Sequence, residues 1–123
     1  MLQNDFFTIT ALSGEGESFK VTLQLNPRHS IFGGHFPDQP VVPGACLLQI
    51  VKEVTETILE SELRLKTADH LKFIALIDPN KNSLLDMRLT YNKQDDGAVK
   101  VSANILQNTT ICFKFNGLFV PQV

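Results

Sequence analysis

The sequence predicts an α+β domain in which a single antiparallel sheet wraps one long helix. Three observations carry this expectation. Two alternating β-branched or aromatic runs come first, an amphipathic stretch follows, and four further strand-like runs close the chain. A lone helix with a broad apolar stripe can bury that stripe only against such a sheet. The 123 residues are 43% hydrophobic and 20% charged, a balance that fits one globular domain over 1–123 and argues against disorder. A domain of this size supports a core and also gains from oligomerisation.

Phe6-Phe7-Thr8-Ile9-Thr10-Ala11-Leu12 reads as the first strand, Ser13-Gly14-Glu15-Gly16-Glu17 as a turn, and Phe19 to Leu25 as the second strand by its alternation. Asn26 to Pro43 reads as an irregular loop. From Gly44 to about Leu63 the apolar residues Leu47, Ile50/Val51, Val54 and Ile58 recur at helical spacing, with Lys52, Glu53, Glu56 and Glu60 placed off that stripe. Pro43 suits the start of this helix, because its missing N–H would be unpaired there in any case. Four strands are expected after it: Asp69–Ile77, Leu84–Tyr91, Val99–Gln107 and Ile111–Val120. Asp78-Pro79-Asn80-Lys81-Asn82 supplies one turn, and Asp95-Asp96-Gly97 is a strong hairpin signal. Asn108-Thr109-Thr110 also reads as a turn.

Charge and cysteine content exclude several classes. The net charge is −2 and the eleven Lys and Arg are scattered along the chain, so nothing favours nucleic acid. The apolar run Val41–Val51, broken by Pro43 and Gln49, is too short for a bilayer, and the first residues lack the basic start of a signal peptide. Cys46 and Cys112 read as buried free thiols, which fits a reducing cytoplasm. A depressed pKa at the helix start is the competing reading for Cys46. No spacing of His, Cys and Asp suggests a metal site. His29 and His70 are expected on the surface, and Arg28, Lys52, Lys66 and Lys72 as solvated cations that could meet an acidic partner.

The most informative stretch joins the second strand to the helix. His35 lies in a Gly/Pro-rich loop, after Gly33-Gly34 and before Pro37, Pro40 and Pro43, leading straight to a helix N-terminus. A histidine held beside exposed backbone N–H groups at a positive helix end suits general-base chemistry on a carbonyl.

The run Asn26 to Phe36 followed by Pro40-Val41-Val42-Pro43-Gly44, with its GHFP-x-x-P-x-x-PG pattern, resembles the β-hydroxyacyl-acyl-carrier-protein dehydratases of fatty acid synthesis. Leu71-Lys72-Phe73 and Pro79 extend the likeness more weakly. The resemblance implies the hotdog fold, a homodimer with two shared sites, and often a trimer of dimers. It implies dehydration of a (3R)-hydroxyacyl thioester on acyl carrier protein to the trans-2-enoyl form, in fatty acid synthesis or a specialised lipid or polyene pathway, with no cofactor beyond the substrate's own phosphopantetheine.

Residue by residue, the likeness makes His35 the base that removes the α-proton and Gly44 the backbone N–H donor to the thioester oxygen. Gly34, Phe36, Val42, Pro43 and Ala45 are expected to line the substrate; Phe32 and Phe36 also read as core residues packing the loop. Gln49 stands where the family carries a Glu or Asp that reaches across the dimer interface and helps expel the hydroxyl as water. Asp38 stands where the family usually has Gly. An amide can accept and donate hydrogen bonds but cannot deliver a proton. Three consequences are open: a one-base dehydratase in which Gln49 orients the hydroxyl, substitution by Glu53 one turn on, or acyl-thioester binding or hydrolysis without dehydration.

Overall fold

The computed structural model describes residues 1–34 and 39–122. Strands β1 (Phe7–Glu15) and β2 (Ser18–Leu25) precede a four-residue helix α1 (Ile31–Gly34) and the long helix α2 (Gly44–Leu59). Strands β3 (Leu63–Phe73), β4 (Leu84–Lys93), β5 (Val99–Gln107) and β6 (Thr110–Pro121) complete one six-stranded antiparallel sheet of order β1-β2-β4-β5-β6-β3. This is the α+β arrangement expected from the sequence, a hotdog fold.

Alternation builds the core. Val21, Leu23 and Leu25 of β2, Leu85, Met87 and Leu89 of β4, Val101, Ala103 and Ile105 of β5, and Phe113, Phe115 and Phe119 of β6 are buried. They meet Leu47, Ile50, Val51 and Val54 of α2, so the sheet buries the helix stripe. Gly97 makes the β4–β5 turn at φ 89°, a conformation that glycine adopts without steric cost. The Asp96 carboxylate accepts the Ala98 N–H at 3.0 Å to close it.

Four boundaries differ from the sequence reading. The loop before α2 contains α1, one turn closed by Phe32 and Gly33 N–H bonds to His29 and Ser30 carbonyls, both 3.1 Å. Helix α2 stops at Leu59 because Glu60 adopts φ 51°, ψ 46°, while the Glu56 carboxylate takes the Leu63 N–H at 2.8 Å and turns the chain into β3. Strand β1 also runs on to Glu15, past the turn placed at Ser13.

The largest shift concerns β3, expected at Asp69–Ile77. It begins at Leu63 and ends at Phe73, and the apolar run beyond it leaves the sheet. Ile74 and Ala75 N–H both reach the Cys112 carbonyl, and the Ile77 carbonyl accepts the Val42 N–H at 2.9 Å. These residues therefore flank the entry to α2 instead of extending a strand.

The cations, scattered in sequence, are aligned by the sheet. Lys20 pairs with Arg88, Arg88 with Asn104, Asn104 with Lys114 and Lys114 with Lys72, so four cations share one row on the outer face. Like charges directly opposite one another are destabilising. Among the described residues, no helix is long and apolar enough to cross a membrane.

Candidate functional site

Helix α2 begins at Gly44 with Pro43 as N-cap, at φ −61° and ψ 144°, and no side chain caps it. The Cys46 and Leu47 N–H groups turn back to the Pro43 carbonyl at 3.0 and 3.3 Å. Among the described residues the Gly44 N–H has no partner, as expected for the first turn of a helix. Gly44 lines an apolar cavity of about 360 Å³, with Val41, Val42, Pro43 and Leu47 on its side and Phe73–Ile77 on the other. An unpaired N–H beside an apolar pocket is a preorganised donor for an oxygen that gains negative charge.

Phe73, at the end of β3, closes one side of this cavity. A Cβ on Gly44 would stand 2.7 Å from two of its ring carbons, so glycine is what lets the ring lie over the helix start. The ring also packs on Phe113 at 5.2 Å, yet remains 56% exposed. Sequence reasoning placed Phe73 in a strand and missed its position at the site. The pattern Gly44 with a distant aromatic carries no local signal of contact.

Of the residues expected at the site, Val42, Pro43 and Gly44 come together in this cavity. Ala45 is exposed and faces away from it. Gly34 ends α1. His35 and Phe36, with Pro37 and Asp38, lie outside the described residues. Phe32 is buried against Phe6, with ring centroids 5.3 Å apart.

His29, expected on the surface, is instead an anchor at the entry to that loop. Its Nδ1 accepts the Ile31 N–H at 3.1 Å, leaving the ring proton on Nε2, which faces the Asp5 carboxylate at 3.1 Å. The ring edge packs on Phe6. His70 is exposed on β3.

Gln49 is not brought to Gly44. Five residues of helix separate them by about 7.5 Å of rise and about 140° of rotation. Gln49 lines a different groove, of about 530 Å³, with Lys52, Glu53 and Glu56. Its Nε2 donates to Glu53 Oε2 at 2.8 Å. Glu53, read from the sequence as off the stripe, is only 1% exposed. Its carboxylate also accepts the Leu2 N–H, at 3.0 and 2.8 Å, and the Gln3 N–H at 2.8 Å. A buried carboxylate is tolerated when it collects such donors. Both oxygens are committed to the N-terminal turn and Gln49, so Glu53 is a structural anchor and a poor substitute acid. Its spacing from Cys46 and Ile50, seven and three residues, was the available signal that it faces inward.

Cys46 and Cys112 are free and buried. Burial pushes the Cys46 thiol up, so desolvation outweighs the helix start, and the residue is a small core side chain. Among the described residues no three His, Cys, Asp or Glu side chains converge as a metal site requires.

Comparison with known proteins adds the family. The model of the ApeI-like dehydratases (ApeI dehydratase) matches residues 11–115. The chain belongs to the ApeI-like dehydratase family. Among curated relatives of this ApeI-like chain, the 3-hydroxyacyl-[acyl-carrier-protein] dehydratase FabZ of Lactobacillus helveticus is 32% identical over 99 residues, covering 73% of this chain and 66% of the relative. That of Lactiplantibacillus plantarum is 28% identical over 97 residues with the same coverage. The chain thus spans just under two thirds of the length of these relatives.

Solved structures agree on the fold. The dehydratase heterocomplex ApeI:P from Xenorhabdus doucetiae aligns at TM-score 0.67 and 18% identity, covering 91% of this chain and 96% of that one. A thioesterase superfamily protein from Shewanella loihica aligns at TM-score 0.59 and 10% identity, covering 92% and 90%. At such identities the ApeI-like chain shares a hotdog fold with both, and the fold alone does not separate dehydration from thioester hydrolysis.

Proposed function

We propose that this chain dehydrates (3R)-hydroxyacyl thioesters carried on acyl carrier protein to trans-2-enoyl thioesters, in fatty acid or related lipid or polyene synthesis. The observation that carries the reading is Gly44 at the start of α2, its N–H without a partner among the described residues, in the wall of an apolar cavity. His35 takes the α-proton, and the electron pair moves onto the thioester carbonyl. The resulting enolate-like oxygen is held by the Gly44 N–H. As the pair returns to form the α,β double bond, the C–O bond to the β-hydroxyl breaks. The protonated His35 gives its proton to the departing oxygen, so water leaves and His35 is neutral again.

One residue then serves as both base and acid, and Gln49 orients the hydroxyl. Gln49 and Gly44 line separate cavities of one chain, so in this reading Gln49 comes to the site from a second copy. Strand β3 supports that assembly: it is the edge of the sheet, and Leu71, Phe73, Ile74 and Leu76 at and beyond its end are exposed apolar residues. An unpaired edge with such residues is a natural pairing surface. The homodimer, or a trimer of such dimers, is the assembly we assign. The two buried free thiols fit a cytoplasmic setting.

A second reading, binding of acyl thioesters without turnover, is favoured by the same Gln49, which has no proton to give. Thioester hydrolysis is less supported, since no carboxylate lines the described part of the Gly44 cavity to activate water. Hydration of a trans-2-enoyl carrier-protein thioester, followed as loss of enoyl absorbance, separates these readings. Turnover by the wild type and none by His35→Ala supports the dehydratase. Thioester binding without turnover supports the binder, and release of free thiol supports the hydrolase.

A further inference from the structure

We infer that Glu53 is a positioning residue that fixes the polarity of the Gln49 amide, so that Gln49 offers the site a hydrogen-bond acceptor and selects 3-hydroxyacyl over 3-oxoacyl chains. This rests on the dehydratase reading for its ligand, and on the geometry of α2 for its polarity.

A carboxylate accepts hydrogen bonds and donates none. Glu53 Oε2 lies 2.8 Å from the Gln49 amide, so the group turned toward it must be the NH2. The reversed amide would set two oxygens against each other in a buried place. Glu53 cannot swing away to permit that reversal. The Leu2 and Gln3 N–H groups hold its carboxylate from the other side, and the residue is 1% exposed. One Nε2 hydrogen is committed to Glu53 and the nitrogen is turned inward with it. Oε1, which has no partner among the described residues, is the acceptor that Gln49 keeps for a ligand. Gln49 is half-buried at the wall of an open groove, so a group from outside can reach it.

An amide oxygen accepts from a 3-hydroxyl and is unfavourable beside a 3-oxo oxygen. Glu53 thereby acts on substrate choice without touching substrate. The Glu53→Gln variant reverses the arrangement. Its side-chain oxygen still serves the Leu2 and Gln3 N–H groups, its NH2 faces residue 49, and Gln49 must turn its own oxygen inward and its NH2 outward. In the doubly exchanged chain, Gln49→Glu with Glu53→Gln, the outward atom is an acceptor again.

The test is binding of (3R)-hydroxyhexanoyl and 3-oxohexanoyl pantetheine, measured in the His35→Ala background so that neither ligand is consumed. We expect the hydroxy ligand to bind about tenfold better, the preference to vanish or reverse with Glu53→Gln, and the double exchange to restore it. Loss of folding lowers both affinities together and is read separately from the Tm of the variant. A Glu53→Gln protein that keeps a folded Tm and the wild-type preference for the hydroxy ligand overturns the inference.

A second readout does not depend on substrate. In 15N-labelled protein, one Gln49 side-chain amide proton should be shifted downfield and slow to exchange, and it should lose both properties with Glu53→Gln. If neither thioester binds, the dehydratase reading fails and this spectrum alone decides the polarity: two fast-exchanging amide protons, neither shifted downfield, overturn it, and one protected proton upholds it.

Discussion

The ring of Phe73 and the α-carbon of Gly44 are packed so closely that a methyl group on the glycine would stand 2.7 Å from the ring carbons. The contact ties the end of the edge strand to the start of the central helix, beside the apolar cavity that Gly44 lines. Because the ring is more than half exposed, it can rotate away, so Gly44→Ala should displace Phe73 without unfolding the protein. The expected change in Tm is within about 5 °C, while kcat/KM falls. Adding Phe73→Ala should recover part of that activity. A large loss of Tm with Gly44→Ala, not relieved by Phe73→Ala, would show that the clash is with the scaffold.

Glu53 holds the N-terminal turn. Truncation in Glu53→Ala strips the Leu2 and Gln3 N–H groups and the Gln49 amide of their acceptor and should destabilise the protein by about 1–3 kcal/mol. Urea unfolding measures this directly. The destabilisation should be much smaller in a chain already lacking residues 1–3, where two of those donors are gone.

The single exchange Gln49→Glu places a second carboxylate within hydrogen-bonding distance of Glu53. One carboxyl of the pair must then keep its proton to higher pH than in the unfolded chain. A raised acid pKa in the folded state means stability that is intact below the unfolded value, about 4.3, and lost as pH rises toward the folded one. Gln49→Glu should therefore match the wild type near pH 4 and fall progressively below it toward neutrality, as read by Tm against pH. Equal pH profiles for the two proteins would contradict the pairing.

On the outer face, Lys20 sits directly opposite Arg88. Arg88→Glu converts a repulsive pair into an attractive one and should stabilise the fold by about 0.2–1 kcal/mol. The gain should shrink in 1 M salt, where exposed charges are screened within about 3 Å. No gain at low salt would mean that the two side chains already avoid each other.

How far the sequence is legible depends on range. Strand β5 was placed at Val99–Gln107 because its alternation reports a buried face and nothing else competes. The Ile74–Ile77 run reads from the sequence as the end of a strand, because apolar residues in sequence do not tell a sheet from a pocket wall. The bonds from Ile74 and Ala75 to Cys112 and from Val42 to Ile77 decide that. Glu53 reads as solvent-facing by its charge although its helical position points inward, and its burial depends on backbone donors about fifty residues earlier. The motif around Gly44 was visible from the sequence, whereas Phe73 over Gly44 and the cation row required the sheet register.

The central claim is that a histidine loop and Gly44 from one copy act with Gln49 from another to dehydrate a hydroxyacyl thioester. The most direct measurement is complementation between two defective chains, His35→Ala and Gln49→Lys, the lysine chosen to leave Glu53 partnered. Each is expected to hydrate a trans-2-enoyl carrier-protein thioester poorly by itself. Coexpressed with different tags, they should form mixed dimers with one intact site each and recover about a quarter of wild-type activity, as random pairing of two copies requires. Recovery no greater than the sum of the two defective proteins, alongside an active wild type, would place Gln49 and His35 in sites of a single chain and contradict the shared site. An inert wild type would contradict the dehydratase itself.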